Sequence, residues 1–202
     1  MRGIHLGNGP YRGTGTLWAL ALLALALGVV ACNPYVAAVS AVSESYGVAT
    51  DERSLSVQAS DTEIEAEIEK NLVESAVPGT DGLSVFSRRG VVVLTGVVTA
   101  GSGAGRAAVR IARRTPGVRR VETFFVASQP STVGDFELKE KIKASFVADP
   151  NITAEQVDVV VYAGHVVLIG VVANVEQSEE FVNDASSVPG VLSVRSYIQQ
   201  GV

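Results

Sequence analysis

The chain repeats itself, and an internal repeat constrains a fold more than composition does. "GVVVLTGVV" from Gly90 aligns with "GHVVLIGVV" from Gly164, 74 residues later. "DTEIEAEIEKNL" from Asp61 aligns with "DFELKEKIKASF" from Asp135 at the same offset. "PGVRRV" at Pro116 then matches "PGVLSV" at Pro189, the offset having dropped to 73 through a single deletion. One module is therefore written twice.

Within each copy the hydrophobic period changes in the same order. Ile64, Ile68 and Leu72, echoed by Leu138, Ile142 and Phe146, recur every four residues as one face of a helix, with Ser60-x-x-Glu63 as a capping box in the first copy. Two β-branched runs follow, Leu83 to Arg88 and Val91 to Val98, split by a turn at Gly90; copy two gives Val157 to Tyr162, a turn at Gly164, then Val166 to Val172. A second helix spans Ala104 to Arg114, or Val175 to Ser187, and stops before Pro-Gly. A last strand covers Val118 to Val126, or Val191 to Ile198. The strand, helix, strand crossover favours a parallel, right-handed connection. The expected class is α+β: two tandem αββαβ modules, each a three-stranded mixed sheet with two helices on one face. Modules of this size bury marginal cores alone, so the two are expected to pack together.

Ahead of the repeat, Leu17 to Ala31 is an uncharged apolar run preceded by Arg2 and Arg12 and by no acid, the layout of an export signal. As a helix it would cover roughly 22 Å, short of the hydrocarbon core a stable span must cross. Val29-Val30-Ala31-Cys32 resembles the lipobox of bacterial lipoproteins. That resemblance implies a signal peptide at 1–31, removed before Cys32, and acylation of Cys32 with palmitate-type chains, which together anchor stably where one chain does not. Asn33 in place of an aspartate points to the outer membrane. Cys32 is the only cysteine, so no disulfide, CxxC pair or cysteine-based zinc site is available. The expected organisation is 32–59 as lipidated cysteine and linker, 60–127 as the first domain and 134–200 as the second.

The αββαβ repeat, with its G-x-V-x-L-x-G-x-V hairpin at Gly90 and its PGV-x-x-V strand at Pro116, resembles the BON domain family. Two copies behind a lipobox are similar to the dual BON-domain outer-membrane lipoproteins, and "GVATDERSLSVQ" from Gly47 resembles a stretch that precedes their first domain. The resemblance implies phospholipid binding in the periplasm and support of the envelope.

Little in the sequence can do chemistry. "GSGAG" from Gly101 follows a strand, but its spacing is not that of a dinucleotide loop, and copy two has "ANVEQ" there. His5 lies in the leader, which leaves His165 in the hairpin turn with no partner histidine for a metal and no cysteine. The carboxylates alternate with an apolar helix face, as solvated charges do. Neither copy joins a GxxG loop to a basic groove, as a KH-like RNA-binding domain would, so no nucleic acid is expected. No enzyme, cofactor, catalytic residue or metal site is expected.

Differences between the copies carry the functional expectation. Glu63, Glu65, Glu67 and Glu69 become Glu137, Lys139, Lys141 and Lys143, and Thr62 becomes Phe136. Stepping about 100° per residue from a buried Leu138 and Ile142 puts Phe136, Lys143 and Val147 on the far face, with Lys139 at its flank. Phe136, Lys139, Lys143 and Val147 are the candidate contact with anionic phospholipid, with phosphatidylglycerol the headgroup to test. The competing reading has Phe136 stapling the helix entry or packed on the first copy, and the lysines merely solvated. On the second helix, copy one carries Arg106, Arg110, Arg113 and Arg114 whereas copy two carries Glu176, Glu179, Glu180 and Asp184, a complementarity that could dock one module on the other or on a partner. The functional alternative is an adaptor that grips an envelope protein through these helices and the sheet edges.

Cells grown with a labelled fatty acid should label the wild-type chain and not Cys32→Ser. A wild type that takes up no label removes the anchor.

Overall fold

The computed structural model describes residues 53–127 and 133–201, all within a compact unit spanning Tyr46–Val202. Cys32, the residues read as an export signal and most of the expected linker lie outside the described residues. The elements run α1 (Leu55–Glu74), β1 (Leu83–Arg88), β2 (Val91–Val98), α2 (Ala104–Arg114), β3 (Arg120–Ala127), α3 (Val133–Ala148), a 3-10 turn (Ala154–Gln156), β4 (Val157–Tyr162), β5 (His165–Val172), α4 (Val175–Ser187) and β6 (Ser193–Gln200). This is α+β, αββαβ twice.

Several local expectations need correcting. The last strands begin two residues later than expected, at Arg120 and Ser193. Helix α1 begins at Leu55 because Ser54 is in extended backbone and its hydroxyl accepts the Val57 N–H, so Ser60 lies inside the helix and caps nothing. The helix thus takes up the last five residues of the segment read as linker. His165 is the first residue of β5, opposite Tyr162, and its Nδ1 lies 2.8 Å from the Ser193 hydroxyl; Ala163 and Gly164 form the turn.

In each module the second strand is central. β2 pairs antiparallel with β1 (Arg88 opposite Val91) and parallel with β3 (Val92 opposite Val121), and β5 repeats this between β4 and β6. Both helices cover one sheet face. In the first module Ile64, Ile68, Leu72, Ala108 and Ala112 close over Val85, Val92 and Leu94; in the second Leu138, Ile142, Phe146, Phe181 and Ala185 close over Val159, Val166 and Leu168. Phe146 and Phe181 meet edge to face, centroids 4.8 Å apart.

The helix-free faces of the two sheets pack against each other. Val93, Val167 and Ile169 are buried between them, ringed by Phe86, Phe124, Val160 and Tyr197. The layers run helices, sheet, sheet, helices, so it is the sheets, not the oppositely charged second helices, that dock one module on the other. Polar groups fix the register of this contact: the Thr95 and Tyr162 hydroxyls are 3.0 Å apart, the Tyr197 hydroxyl donates to the Thr123 carbonyl at 2.9 Å, and Gln199 donates to the Arg88 carbonyl at 2.8 Å. Arg88 bridges the modules, bonding Glu65 on α1 and Asp158 on β4. Glu65 is accordingly no solvated charge: it also accepts the Ser87 N–H at 2.6 Å, and burial pushes its carboxyl above the ordinary value despite that bond and Arg88.

One corner recurs in both modules. The hairpin residues Arg89 and Gly90 have φ 55° and 74°, and Ala163 and Gly164 have 50° and 79°, the left-handed pair of a type I′ turn. The aspartate that opens each repeat holds that turn. Asp61 accepts the Arg89 and Gly90 N–H groups at 2.7 and 2.9 Å, and Asp135 accepts those of Ala163 and Gly164 at 2.7 and 3.0 Å. The turn carbonyls then accept N–H groups from the Pro-Gly loop, Arg119 to Gly90 and Leu192 to Gly164, each at 2.8 Å. A Cβ at Gly90 would come within 2.7 Å of the Gly117 carbonyl, so the corner closes only over glycine. Asp61 is 2% exposed. Burial alone would raise its pKa, but the N–H groups of Gly90 and Arg89, the Ser87 hydroxyl and Arg53 outweigh it and hold the carboxyl below the ordinary value.

Two outcomes follow. Ile169→Ala should cost about 2–5 kcal/mol in urea unfolding, moving one transition shared by both modules; two separable transitions would mean that the sheet contact does not couple them. Asp61→Asn should cost about 1–3 kcal/mol at neutral pH. Because the folded pKa is depressed, that contribution is present above the unfolded value of about 3.9 and fades as pH falls through the folded pKa, so wild type and variant should converge in acid. A gap that stays constant down to acid pH contradicts the assignment.

Candidate functional site

Helix α3 is pinned by Leu138, Ile142 and Phe146, which turn its other side to solvent. Phe136 is 70% exposed and Val147 is 74% exposed, so Phe136 packs on neither module. Lys143 is exposed between them and Lys139 is half-buried at the flank, as the helical stepping requires. Lys139, Lys143 and Val147 come together on the rim of a groove of about 510 Å³ whose other wall is β4, from Val157 to Val160, and Phe86 of the first module. Phe136 stands apart, one end of the helix away, about 16 Å along its axis at 1.5 Å per residue.

Two of the acids near the lysines are engaged elsewhere. Asp135 is occupied by the turn N–H groups, and Asp158 of the groove is occupied by Arg88. Among the described residues Lys139, Lys141 and Lys143 make no ion pair. Exposed Glu137 and Glu140, with Asp135, balance the three lysines, so the helix is formally neutral, and exposed Glu155 also lines the groove.

Comparing the modules separates the site from the fold. Val73, at the position of Val147 in the first module, is itself 69% exposed, so exposure there belongs to the architecture. The position of Phe136 holds Thr62, whose hydroxyl bonds back to the Gln58 carbonyl, and the position of Lys139 holds Glu65, engaged at the module contact. The structure also adds Leu192, which sequence reasoning missed. It is 71% exposed and shares a shallow pocket of about 350 Å³ with Gly134, Asp135, Glu137 and Lys141 at the first turn of α3. Its counterpart in "PGVRRV" is Arg119; the signal was the change from Arg to Leu, and it went unread because the two residues are far from α3 in sequence. Phe136 and Leu192 together place two apolar side chains at one end of the second module, where the first has Thr and Arg.

"GSGAG" ends at the start of α2, with Gly103 as a left-handed N-cap at φ 78°, a turn role. Among the described residues no three His, Cys, Asp or Glu gather as a metal site would require, and no helix is long and apolar enough to cross a membrane.

Among curated proteins none matches the chain. Similar solved structures include the C-terminal domain of CdsD, the structural protein of the type III secretion system of Chlamydia trachomatis, at 16% identity with a TM-score of 0.29, covering 69% of this chain and 66% of that one, and a second CdsD structure from the same organism at 17% identity and the same TM-score of 0.29, covering 69% and 63%. This chain thus spans just under two thirds of the length of those structures, and nothing about its function is drawn from them. The BON domain family model matches residues 60–127 and 134–201, the two modules in turn. The chain belongs to the BON domain family and carries two copies of the domain in tandem.

Proposed function

We propose that the chain is a lipid-anchored periplasmic protein of the outer membrane, a dual BON-domain lipoprotein of the DolP type, whose second domain contacts anionic phospholipid through α3 and so supports the envelope. Membership of the BON family supports a phospholipid-binding or envelope-related role in the periplasm. The observation that carries the finer reading is Phe136: an aromatic side chain left 70% exposed at the start of a helix bearing three unpaired lysines. Phe136 and Leu192 enter the headgroup boundary while Lys139 and Lys143 meet phosphates, each lysine contributing about 1 kcal/mol near an anionic surface. Acylated Cys32 supplies the first attachment. That attachment holds α3 near the same bilayer.

An envelope protein is the second reading. The groove beside β4 favours it, because β4 is an edge strand with valine-lined space before it, the setting in which an extended segment adds to a sheet.

Residues 46–202, without the anchor, should cosediment with phosphatidylglycerol vesicles and poorly with phosphatidylcholine vesicles, and raising salt should weaken binding. Phe136→Ala with Lys139→Glu and Lys143→Glu should reduce it by about tenfold or more. A variant that binds as well as wild type refutes the α3 assignment. Specific protein capture after crosslinking, with no vesicle affinity, selects the adaptor.

A further inference from the structure

From the hairpin through the second helix, charge is sorted between the two modules. Between Asp81 and Glu122 every Lys, Arg, Asp and Glu position is an arginine, and between Lys143 and Arg195 every one is an acid. On the outer helices the sorting becomes two matched rows. Arg106, Arg110 and Arg114 stand four residues apart along one side of α2, all exposed; Glu176, Glu180 and Asp184 have the same four-residue spacing on α4, Glu176 exposed and the other two half-buried. Arg113 and Glu179 flank the rows. Among the described residues none of these groups makes an ion pair. Burial, followed by repulsion from Asp149, holds the Asp184 carboxyl above its ordinary value, as befits an acid with no cation beside it.

The two rows cannot meet within one molecule. α2 lies on β2 and β3, α4 lies on β5 and β6, and both sheets stand between them. We infer that the partner of each row is the other row on a second copy of this chain: α2 of one molecule docks antiparallel on α4 of the next, pairing Arg106 with Asp184, Arg110 with Glu180 and Arg114 with Glu176. The antiparallel sense also sets the C-terminal, partially negative end of α2 beside the partially positive N-terminus of α4. Equal spacing, about 6 Å per step on each helix, keeps the pairs in register over the whole row. Because the rows face opposite ways, two copies cannot satisfy both at once. The contact is heterologous, and it extends head to tail instead of closing as a dimer.

Exposed ion pairs are weak and screened, so a few of them give an association that is modest in dilute solution and falls with salt. Molecules held on one bilayer would meet at a higher effective concentration. The association itself needs neither the membrane nor any residue of α3, so it stands or falls apart from the phospholipid reading.

The test is sedimentation equilibrium of the full chain in a density-matched nonionic detergent, with the fold of each variant checked by circular dichroism. Wild type should gain mass beyond a dimer as its concentration rises at about 20 mM salt and return to the monomer at about 500 mM. The variant Arg106→Glu, Arg110→Glu, Arg114→Glu has two acidic rows, and the variant Glu176→Lys, Glu180→Lys, Asp184→Lys has two basic ones. Each alone should stay monomeric, and an equimolar mixture should associate again. A wild type that is monomeric at low salt, a mixture that does not recover, or a mass that stops at the dimer overturns the proposal. So does a basic row whose reversal abolishes binding to anionic vesicles while self-association never occurs, which would assign α2 to lipid.

Discussion

Each three-stranded sheet in this molecule is covered twice, by its helices on one face and by the other sheet on its second face, and the rest of the structure depends on that double coverage. It explains why β2 and β5 read as unbroken valine-rich runs instead of alternating apolar and polar residues: sheets buried on both faces have no side to give to water. It supplies the apolar burial that a single module of this size lacks. It also explains where the polar residues inside the contact sit. Thr95 and Tyr162 satisfy each other, and Arg88 is held between Glu65 and Asp158, because a buried polar group without a partner would cost more than the contact returns.

Within each module the same economy appears at the corner where the repeat motifs meet. The leading aspartate, the hairpin glycine and the Pro-Gly loop are scattered over the sequence yet form one hydrogen-bonded cluster. The carboxylate takes N–H groups that a type I′ turn leaves without partners, and the turn carbonyl takes an N–H from the loop that leads into the last strand. Three short motifs, each commonplace alone, are tied by one geometry. The motif spacing therefore repeats more faithfully than the side chains around it.

With the sheets turned inward, all four helices are left on the outside, and what they present is where the copies have diverged. The first module keeps Thr62 and Glu65 for its own bonding; the second exposes Phe136 and Leu192 among lysines. The outward faces of the second helices have diverged in charge, arginines on α2 and acids on α4. Duplication secured a stable sandwich, and the outward faces were then free to change without disturbing either core.

The sequence by itself determined the kind and order of the secondary elements, though not all their ends, the order of the modules and the helix faces. A period of four at Ile64, Ile68 and Leu72 or a valine run ended by Arg-Gly is a local signal, set by backbone geometry within a few residues. For the same reason the exposure of Phe136 and Val147 was legible from their angular distance to Leu138. Contacts between distant residues were not. The burial of Asp61, the engagement of Glu65 by Ser87 and Arg88, the place of Leu192 beside α3 and the choice of sheets over charged helices as the docking surface were decided only by tertiary structure. The physical reason is that an apolar sheet face loses more by meeting water than two exposed charged helices gain by meeting each other, and that balance depends on which faces the folded chain leaves bare.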